Sequence, residues 1–301
     1  MSVLRRFSLV IAALAAWELA AKSGLWSPLL FPAVEKIFRE LVAFLSSVDS
    51  LSQAWLSLVV AALVAWELAA KSGLWSPLLF PPLEKIFQEL VALLSKGDAL
   101  AQAWISLGRA LGGFALAAVA GVLAGMLMGR SALAAALLEP LFSGTYAVPK
   151  LALFPVFIFV FGIGSLSKVA LIFLECLYPV AIVTSQGARQ VNKTLLWSAR
   201  NMGASDWQIL RRVVVPATVP FIFAGLRVAL PVAMIVVVIT EMVSSADGLG
   251  YLVMYSLSSL QTARMLAVAA VIALLGVALD AALLLARDRL VYWEKLETYY
   301  V

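Results

Sequence analysis

Residues 195–231 read LLWSARNMGASDWQILRRVVVPATVPFIFAGLRVALP, a basic segment that passes directly into an apolar run. The helix formers before Gly203, the polar break from Ala204 to Asp206 and the amphipathic residues that follow predict two short helices joined at a turn. Gly203 permits the bend, because glycine adopts the left-handed conformation without a steric cost. Pro216 is expected to end the second short helix, and a transmembrane helix is expected to begin there.

The composition of the chain is that of a membrane protein. Its 301 residues are 63% apolar and 13% charged, and the mean hydropathy is +1.01. A soluble domain of this size would contain about a quarter charged residues. Because backbone polar groups in lipid must bond within their own segment, the apolar runs predict an all-α integral membrane fold in the lipid bilayer.

We interpret six apolar segments as crossings, and several of them approach the roughly 20 residues that a helix needs to cross a bilayer. They lie at about 57–70, 104–128, 141–161, 169–186, 219–243 and 263–286. Between the fourth and the fifth lies the basic loop, residues 187–216, which carries five Lys or Arg residues and a single acid, Asp206. The positive-inside rule places this loop in the cytoplasm, with 162–168 and 244–261 outside and with Arg130 and 287–295 inside. The net charge of +5 is therefore explained by loops and does not indicate a nucleic-acid partner.

The N-terminal third contains a tandem duplication. AWELAAKSGLWSPLLFP occurs at 16–32 and again at 65–81, an offset of 49 residues. In each copy an amphipathic stretch follows, which is expected to lie along the membrane surface. We therefore divide the chain into a duplicated membrane element at 1–55 and a six-helix unit at 56–301. If the first copy also crossed, Arg5 and Arg6 would lie outside, so either it does not fully cross or it breaks the positive-inside rule.

The basic loop resembles that of the permeases of binding-protein-dependent ABC importers, in particular the nitrate, sulfonate and taurine group. Their signature in this loop is Glu-Ala-Ala, three residues, Gly, nine residues, Ile, one residue, Leu-Pro. Ala199 and Gly203 match the signature. Val213 stands for the Ile, and Pro216 ends the pattern. The resemblance continues through 106–131, 161–168 and 240–253, and it covers about residues 56–293.

Two positions of the loop depart from this signature, because Trp197 replaces the Glu and Ser198 replaces the first Ala. The resemblance implies that the loop forms a coupling helix that docks in a groove of the ATPase. Small residues still allow close docking. The residues to which we assign this coupling role are Trp197, Ser198, Ala199, Gly203, Ala204, Ser205, Val213 and Pro216.

The resemblance also implies a subunit of the bacterial inner membrane that crosses it several times and pairs with a second copy of itself. It would form the path for a small anionic solute of the nitrate, sulfonate or taurine kind. ATP and Mg²⁺ would be bound by a separate ATPase subunit, and a periplasmic or lipid-anchored binding protein would deliver the solute. The chain has no GxxxxGK[ST] phosphate loop, no His and one Cys, so we expect neither an enzyme nor a metal or cofactor site.

Two charges in the apolar runs are candidates for the translocation path. Arg227 lies 11 residues beyond Pro216, about 16 Å along a helix and so near mid-membrane. Such a charge faces either a partner or a water-filled path, which makes Arg227 and Glu241 candidate path residues. The alternative is an ion pair that fixes helix packing, with Glu175 or Glu241 as the partner of Arg227. Arg109 is expected to reach the membrane interface and to have a structural role.

Two other classes of function remain open. A secondary transporter driven by an ion gradient would need no ATPase, but the tandem duplication at one end of the chain does not supply its usual inverted repeats. A membrane scaffold without transport is the third class. The subunits that purify with the chain would distinguish all three.

Overall fold

The computed structural model describes residues 51–72, 76, 78–95, 97–146 and 148–293. Within these ranges the regular structure is helical, with no β-strand, which confirms the all-α class. The α-helices, in chain order, are α1 (Leu51–Lys71), α2 (Leu83–Ser95), α3 (Asp98–Arg130), α4 (Ala132–Tyr146), α5 (Phe154–Phe161), α6 (Ser165–Arg189), α7 (Lys193–Asn201), α8 (Asp206–Ile209), α9 (Val215–Ser244), α10 (Leu249–Ser258) and α11 (Thr262–Leu290). A 3₁₀ helix at Lys150–Leu153 precedes α5, and a π-helical turn at Leu210–Val214 joins α8 to α9. Nearly all of the predicted element at 1–55 lies outside the described residues.

The chain divides into two compact units, residues 1–83 and 84–301. In the first unit, Trp66 and Glu67 of α1 hold the segment that follows the helix. Nε1 of Trp66 donates to the carbonyl of Pro81 at 3.0 Å, and its ring stacks on Phe80 with centroids 3.9 Å apart. Oε2 of Glu67 accepts from the N–H of Leu83 at 2.8 Å. The Trp-Glu pair of the second repeat copy therefore has a structural task within its own unit.

The second unit is built around three long apolar helices, α3, α6 and α9. Helix α6 packs along both of the others, and its side chains fill the centre of the shared core. Residues of the core that are fully buried include Ala117, Ile172, Cys176, Val180 and Ala233. Close packing of this kind fixes α6 and α9 relative to one another.

Glycines on α3 allow the backbones of α3 and α6 to pack in close contact. A Cβ atom built on Gly113 would lie 2.6 Å from Cγ2 of Ile172, and one built on Gly125 would lie 2.6 Å from the carbonyl oxygen of Ala181. Neither position could hold a larger residue without separating the helices. These glycines therefore serve packing within one protomer, in the manner of small-residue contacts between membrane helices.

Among the described residues, four helical segments are each long and apolar enough to cross a membrane: Ala99–Arg130, Ser165–Arg189, Asp206–Ser244 and Thr262–Leu290. Each contains one of the predicted crossings, at 104–128, 169–186, 219–243 and 263–286. The predicted crossing at 57–70 lies in α1 and stays a prediction, as does the six-helix core that depends on it.

The predicted crossing at 141–161 is a bent pair of helices, which together are long and apolar enough to form a broken span or a re-entrant loop. This stretch begins in α4 and continues, after a break, as the 3₁₀ helix and α5, and the two parts are bent by 88°. Pro149 lies at the start of the second part, with φ −71° and ψ 87°. Proline has no N–H and disfavours helical geometry in the residue before it. Hydropathy measures burial in lipid and is insensitive to such a change of direction.

The predicted outer loop at 244–261 contains a further helix, α10. Leu249 and Leu252 of α10 are buried against Val268 and Val271 of α11. Its ten residues are too few to cross a bilayer. This connection is therefore part of the packed unit rather than an open loop.

Candidate functional site

The basic loop folds as two short helices joined by a glycine turn, as predicted. Helix α7 ends at Asn201, and Gly203 has φ +80°. The N–H of Gly203 donates to the carbonyl of Arg200 at 2.9 Å, and the N–H of Ala204 donates to that of Ala199 at 3.0 Å. These two bonds form a Schellman motif, which pairs carbonyls that the end of a helix otherwise leaves free.

Side chains within the loop also fix where both helices begin. Oγ of Ser205 accepts from the N–H of Gln208 at 3.3 Å, and Oε1 of Gln208 accepts from the N–H of Ser205 at 2.9 Å. This reciprocal capping box starts α8. At the start of α7, Oδ1 of Asn192 accepts from the N–H of Thr194 at 2.8 Å. The loop therefore sets its own shape through local hydrogen bonds.

A small apolar core lies beneath the two helices. Its buried members are Val191, Ile209 and Val214, and the residues packed against them include Ala199, Ala204, Leu210 and Val213. Three of the predicted coupling residues thus meet in one cluster. Packing accounts for the apolar residues at two signature positions, Ala199 and Val213, since this core holds the glycine turn against the end of α8.

Large apolar side chains point away from this small core. Trp197 is 61% exposed and Met202 is 84% exposed, and Leu195 and Trp207 are exposed as well. Trp197 therefore adds apolar surface at the position where the signature has a charged Glu. Ser198 is half-buried, and its carbonyl accepts from the N–H of Met202 at 3.1 Å. Apolar surface of this kind is typical of a site of protein association.

The second short helix does not end at Pro216, contrary to the prediction. Helix α8, the π-helical turn and α9 run as one helical segment of 39 residues, Asp206–Ser244. The N–H of Val215 donates to the carbonyl of Leu210, five residues earlier, so one extra residue is accommodated just before the proline. Pro216 has no N–H and would crowd the carbonyl four residues back in a regular helix. The wider turn relieves that conflict, and the loop is continuous with a membrane span.

Arg227 of α9 forms an ion pair with Asp280 of α11. Its Nε lies 3.2 Å from Oδ1 of Asp280, and its Nη2 lies 3.4 Å from Oδ2. The expectation that Glu175 or Glu241 pairs with Arg227 is wrong, because the side of α9 that carries Arg227 faces α11. The sequence did contain a signal for this partner, because Asp280 is the single Asp in the apolar run at 263–286. About half of the Arg227 side chain stays exposed, so the pair leaves it accessible from the open side of the protomer.

Glu241 and Arg109 form a buried ion pair between α9 and α3. Arg109 is 6% exposed and Glu241 is 1% exposed, and Nη1 lies 2.8 Å from Oε1. Arg109 also places Nη2 2.6 Å from Oδ1 of Asp247 and donates from Nε to Oγ of Ser165 at 2.9 Å. The expectation that Arg109 reaches the interface is wrong, whereas its structural role agrees with these contacts. The missed partner, Asp247, lies in a polar turn that carries no helical pattern.

The other contacts of Glu241 are structural as well. Its Oε2 accepts from Oγ of Ser106 at 2.7 Å and from the N–H of Gly250 at 3.1 Å. A buried carboxylate with three donors has few acceptor positions left for a passing solute. A path role is therefore better supported for Arg227 than for Glu241.

Comparison with known proteins identifies the family of this chain. Residues 117–291 match the family described as "Binding-protein-dependent transport system inner membrane component". The match covers more than half of the chain. It includes α6, the basic loop, and the pair formed by Arg227 and Asp280.

Several curated permeases are similar to this chain. It is 35% identical over 173 residues to the taurine transport system permease protein TauC of Escherichia coli, covering 58% of this chain and 63% of the relative. It is 34% identical over 185 residues to the putative aliphatic sulfonates transport permease protein SsuC of Bacillus subtilis, covering 62% and 67%. It is 33% identical over 141 residues to the nitrate import permease protein NrtB of Synechococcus elongatus, covering 47% and 50%.

The membrane-length helices, the signature residues gathered in the basic loop and the extent of these matches lead to one conclusion. The chain is a multi-pass membrane permease subunit that belongs to the binding-protein-dependent inner membrane component family, in the nitrate, sulfonate and taurine group of ABC transporter permeases.

Proposed function

We propose that this chain forms half of the translocation path of an ATP-driven importer and takes its energy from a separate ATPase through the basic loop. The observation that carries the proposal is the continuity of the helical segment Asp206–Ser244, which begins inside the loop and ends at the opposite end of a span. A movement imposed on the loop must then move the span.

The surface of the loop suits a protein partner. Trp197, Met202 and Trp207 offer exposed apolar side chains, while Gly203 and Ser198 leave room for a close approach of the partner. Aromatic side chains of this kind commonly dominate the energy of an interface. Because Ser205 and the small core fix the shape of the loop, little order has to be gained on binding. We assign this surface to the ATPase.

Transmission follows from two connections. The segment of 39 residues is about 58 Å long at 1.5 Å per residue, so a tilt at the loop is carried across the membrane. On the other side of the loop, three residues, 190–192, join α7 to α6. Since α6 and α9 share one packed core, ATP binding and hydrolysis in the partner would move both helices together. This provides alternating access to a path between two copies of the chain.

The path would carry a small solute with an anionic group. The similar proteins are described as permeases for taurine, aliphatic sulfonates and nitrate. Arg227, half exposed in the single protomer, would lower the barrier to an anion. A periplasmic or lipid-anchored binding protein would deliver the solute. The basic loop would lie in the cytoplasm of a bacterial cell, which its positive charge supports.

Purification of the chain from its native host tests the proposal. We expect the complex to contain an ATPase subunit and two copies of the chain, and to take up solute only when ATP and Mg²⁺ are supplied. Uptake that proceeds without an ATPase and follows an ion gradient would contradict the proposal. A complex with no transport at all would also contradict it.

A further inference from the structure

A cavity of about 390 Å³ opens beside the break between α4 and α5. Its lining includes Lys150 at the break, Glu175 and Tyr178 on α6, and Val228 and Val232 on α9. Glu175 lies ten residues into a helix of 25, and Val228 lies 13 residues into a helix of 30. The cavity is therefore near the middle of both spans. Its volume falls in the range of roughly 300–1,000 Å³ that small-molecule sites occupy.

The ammonium group of Lys150 is held at the wall of this cavity by uncharged groups. It lies 4.2 Å from the ring centroid of Tyr178 and 5.7 Å from that of Tyr146. It also donates to the carbonyls of Tyr146 at 3.3 Å and Val148 at 3.5 Å. Lys150 is only 8% exposed, and among the described residues it makes no ion pair. Its charge is thus fixed in place, and no carboxylate in the described part of the chain pairs with it.

The ring beneath that ammonium group is itself fixed. The hydroxyl of Thr145 donates to the carbonyl of Leu141 at 2.6 Å, so its oxygen is free to accept. The hydroxyl of Tyr178 lies 2.5 Å from that oxygen and is therefore the donor of this second bond. A ring held in this way presents a stable face to a cation. The binding position at Lys150 is therefore already in place before a solute binds.

Glu175 lines the same cavity and makes no ion pair or hydrogen bond with any described residue. A salt bridge would bring its carboxylate within 4.0 Å of Nζ of Lys150, and the two groups are farther apart than that. Charges at mid-membrane depth normally pair with each other or face a water-filled path. Here two opposite charges share one cavity without meeting, which leaves a gap that a solute with both charges would bridge.

We propose that this cavity is a solute-binding step of the translocation path and that it selects zwitterions, with Lys150 taking the anionic head and Glu175 the ammonium end. This inference rests on the proposed import function and narrows its solute class from small solutes with an anionic group to amino-sulfonates and similar molecules. A simple anion would satisfy Lys150 but would be repelled by Glu175. A simple cation would be attracted by Glu175 but repelled by Lys150.

Saturation-transfer NMR on the purified permease in nanodiscs, with any subunits that remain bound, tests the site directly. The probes are 2-aminoethanesulfonate, ethanesulfonate and ethylammonium at equal concentration. We expect the zwitterion to receive the strongest transfer. Lys150→Met and Glu175→Gln should each weaken its binding by about tenfold or more, as is common when one partner of a buried charge pair is removed.

Two matched variants provide the control. Lys85→Met and Glu84→Gln remove the same two charges from the exposed side of α2 and should leave the preference unchanged. Equal transfer to all three probes, or a preference that survives Lys150→Met and Glu175→Gln, would overturn the inference. The absence of an ATPase from the purified complex would refute the proposed function but not this result, because the binding measurement requires no ATP.

Discussion

Arg109 and Glu241 are 132 residues apart in the chain, yet Nη1 of one lies 2.8 Å from Oε1 of the other in a position almost without solvent. The pair ties α3 to α9. Through Asp247 it also ties both helices to the turn before α10. We interpret this network as the set of contacts that fixes the helix ends on the side of the bundle opposite the basic loop.

Replacing Glu241 by Ala should therefore be among the most destabilising single changes in the protein. Arg109 would keep Asp247 but lose its buried partner, and we expect a loss of about 3 kcal/mol or more in the free energy of unfolding. Thermal unfolding of the detergent-solubilised protein measures it. Asp280→Ala, which breaks the more exposed pair with Arg227, should cost about 1 kcal/mol or less. Equal losses in the two variants would contradict the interpretation.

Gly203→Ala should destabilise the basic loop without unfolding the membrane spans. A Cβ atom at φ +80° carries a cost of roughly 1–2 kcal/mol, because the left-handed region is unfavourable for other residues. Hydrogen exchange of residues 193–209 should rise while that of α6 stays the same. Gly144→Ala is the matched control, since a Cβ atom there meets nothing within 4 Å. Unchanged exchange in Gly203→Ala would argue against a tightly closed turn.

Trp197→Ala should weaken the association with the ATPase. Trp197 is exposed, and loss of a tryptophan at the centre of an interface commonly costs about 2 kcal/mol or more. The amount of ATPase that co-purifies, and its dissociation constant, measure the effect. Leu79→Ala removes an exposed apolar side chain outside the loop and should have no effect. Full retention of the ATPase by Trp197→Ala would show that the partner docks elsewhere.

Arg227→Gln and Asp280→Asn separate a path role from a packing role. If Arg227 lowers the barrier for the anionic part of the solute, Arg227→Gln should slow uptake. Asp280→Asn should preserve or increase uptake, because it leaves the guanidinium unpaired. Uptake is measured in vesicles that contain equal amounts of assembled complex. If both variants lower uptake by the same factor, only the ion pair matters, and the path role is excluded.

Gly125→Val should disrupt the contact between α3 and α6. Its side chain would meet the carbonyl oxygen of Ala181 and the side chain of Thr184, and overpacking of this kind costs about 1–3 kcal/mol. The melting temperature and the yield of assembled complex report the change. Gly276→Val, at a position with nothing within 4 Å of a Cβ atom, is the control. A variant as stable as the control would mean that the helices separate at little cost.

The positions of the spans were predictable because hydropathy is a local property. The runs at 169–186 and 219–243 lie inside α6 and α9, which extend only a few residues beyond them. The two helices of the basic loop were also predictable, because Gly203 and Ser205 act on their own neighbours. Local signals of this kind need no knowledge of the tertiary fold.

The contacts between helices were not predictable in the same way. Which side of α9 faces α11 decides that Arg227 pairs with Asp280, and this depends on the packing of the whole bundle. The break near Pro149 was obscured because apolar residues continue on both sides of it. Lys150 could have been noticed as a charge inside a predicted crossing, as Glu175 was, but only the fold shows that the two line one cavity.

The π-helical turn at Leu210–Val214 has a consequence for the angle between the loop and the path. Each residue of an α-helix turns the chain by about 100°, so the one additional residue in this turn sets the direction in which every later side chain of α9 points. Removing that residue would leave the loop and the span intact as helices, but it would turn the side bearing Arg227 away from Asp280. The rotational phase of one helix thus aligns the apolar surface of the basic loop with the side of α9 that bears Arg227. A change in that phase would uncouple the two surfaces without altering a residue in either.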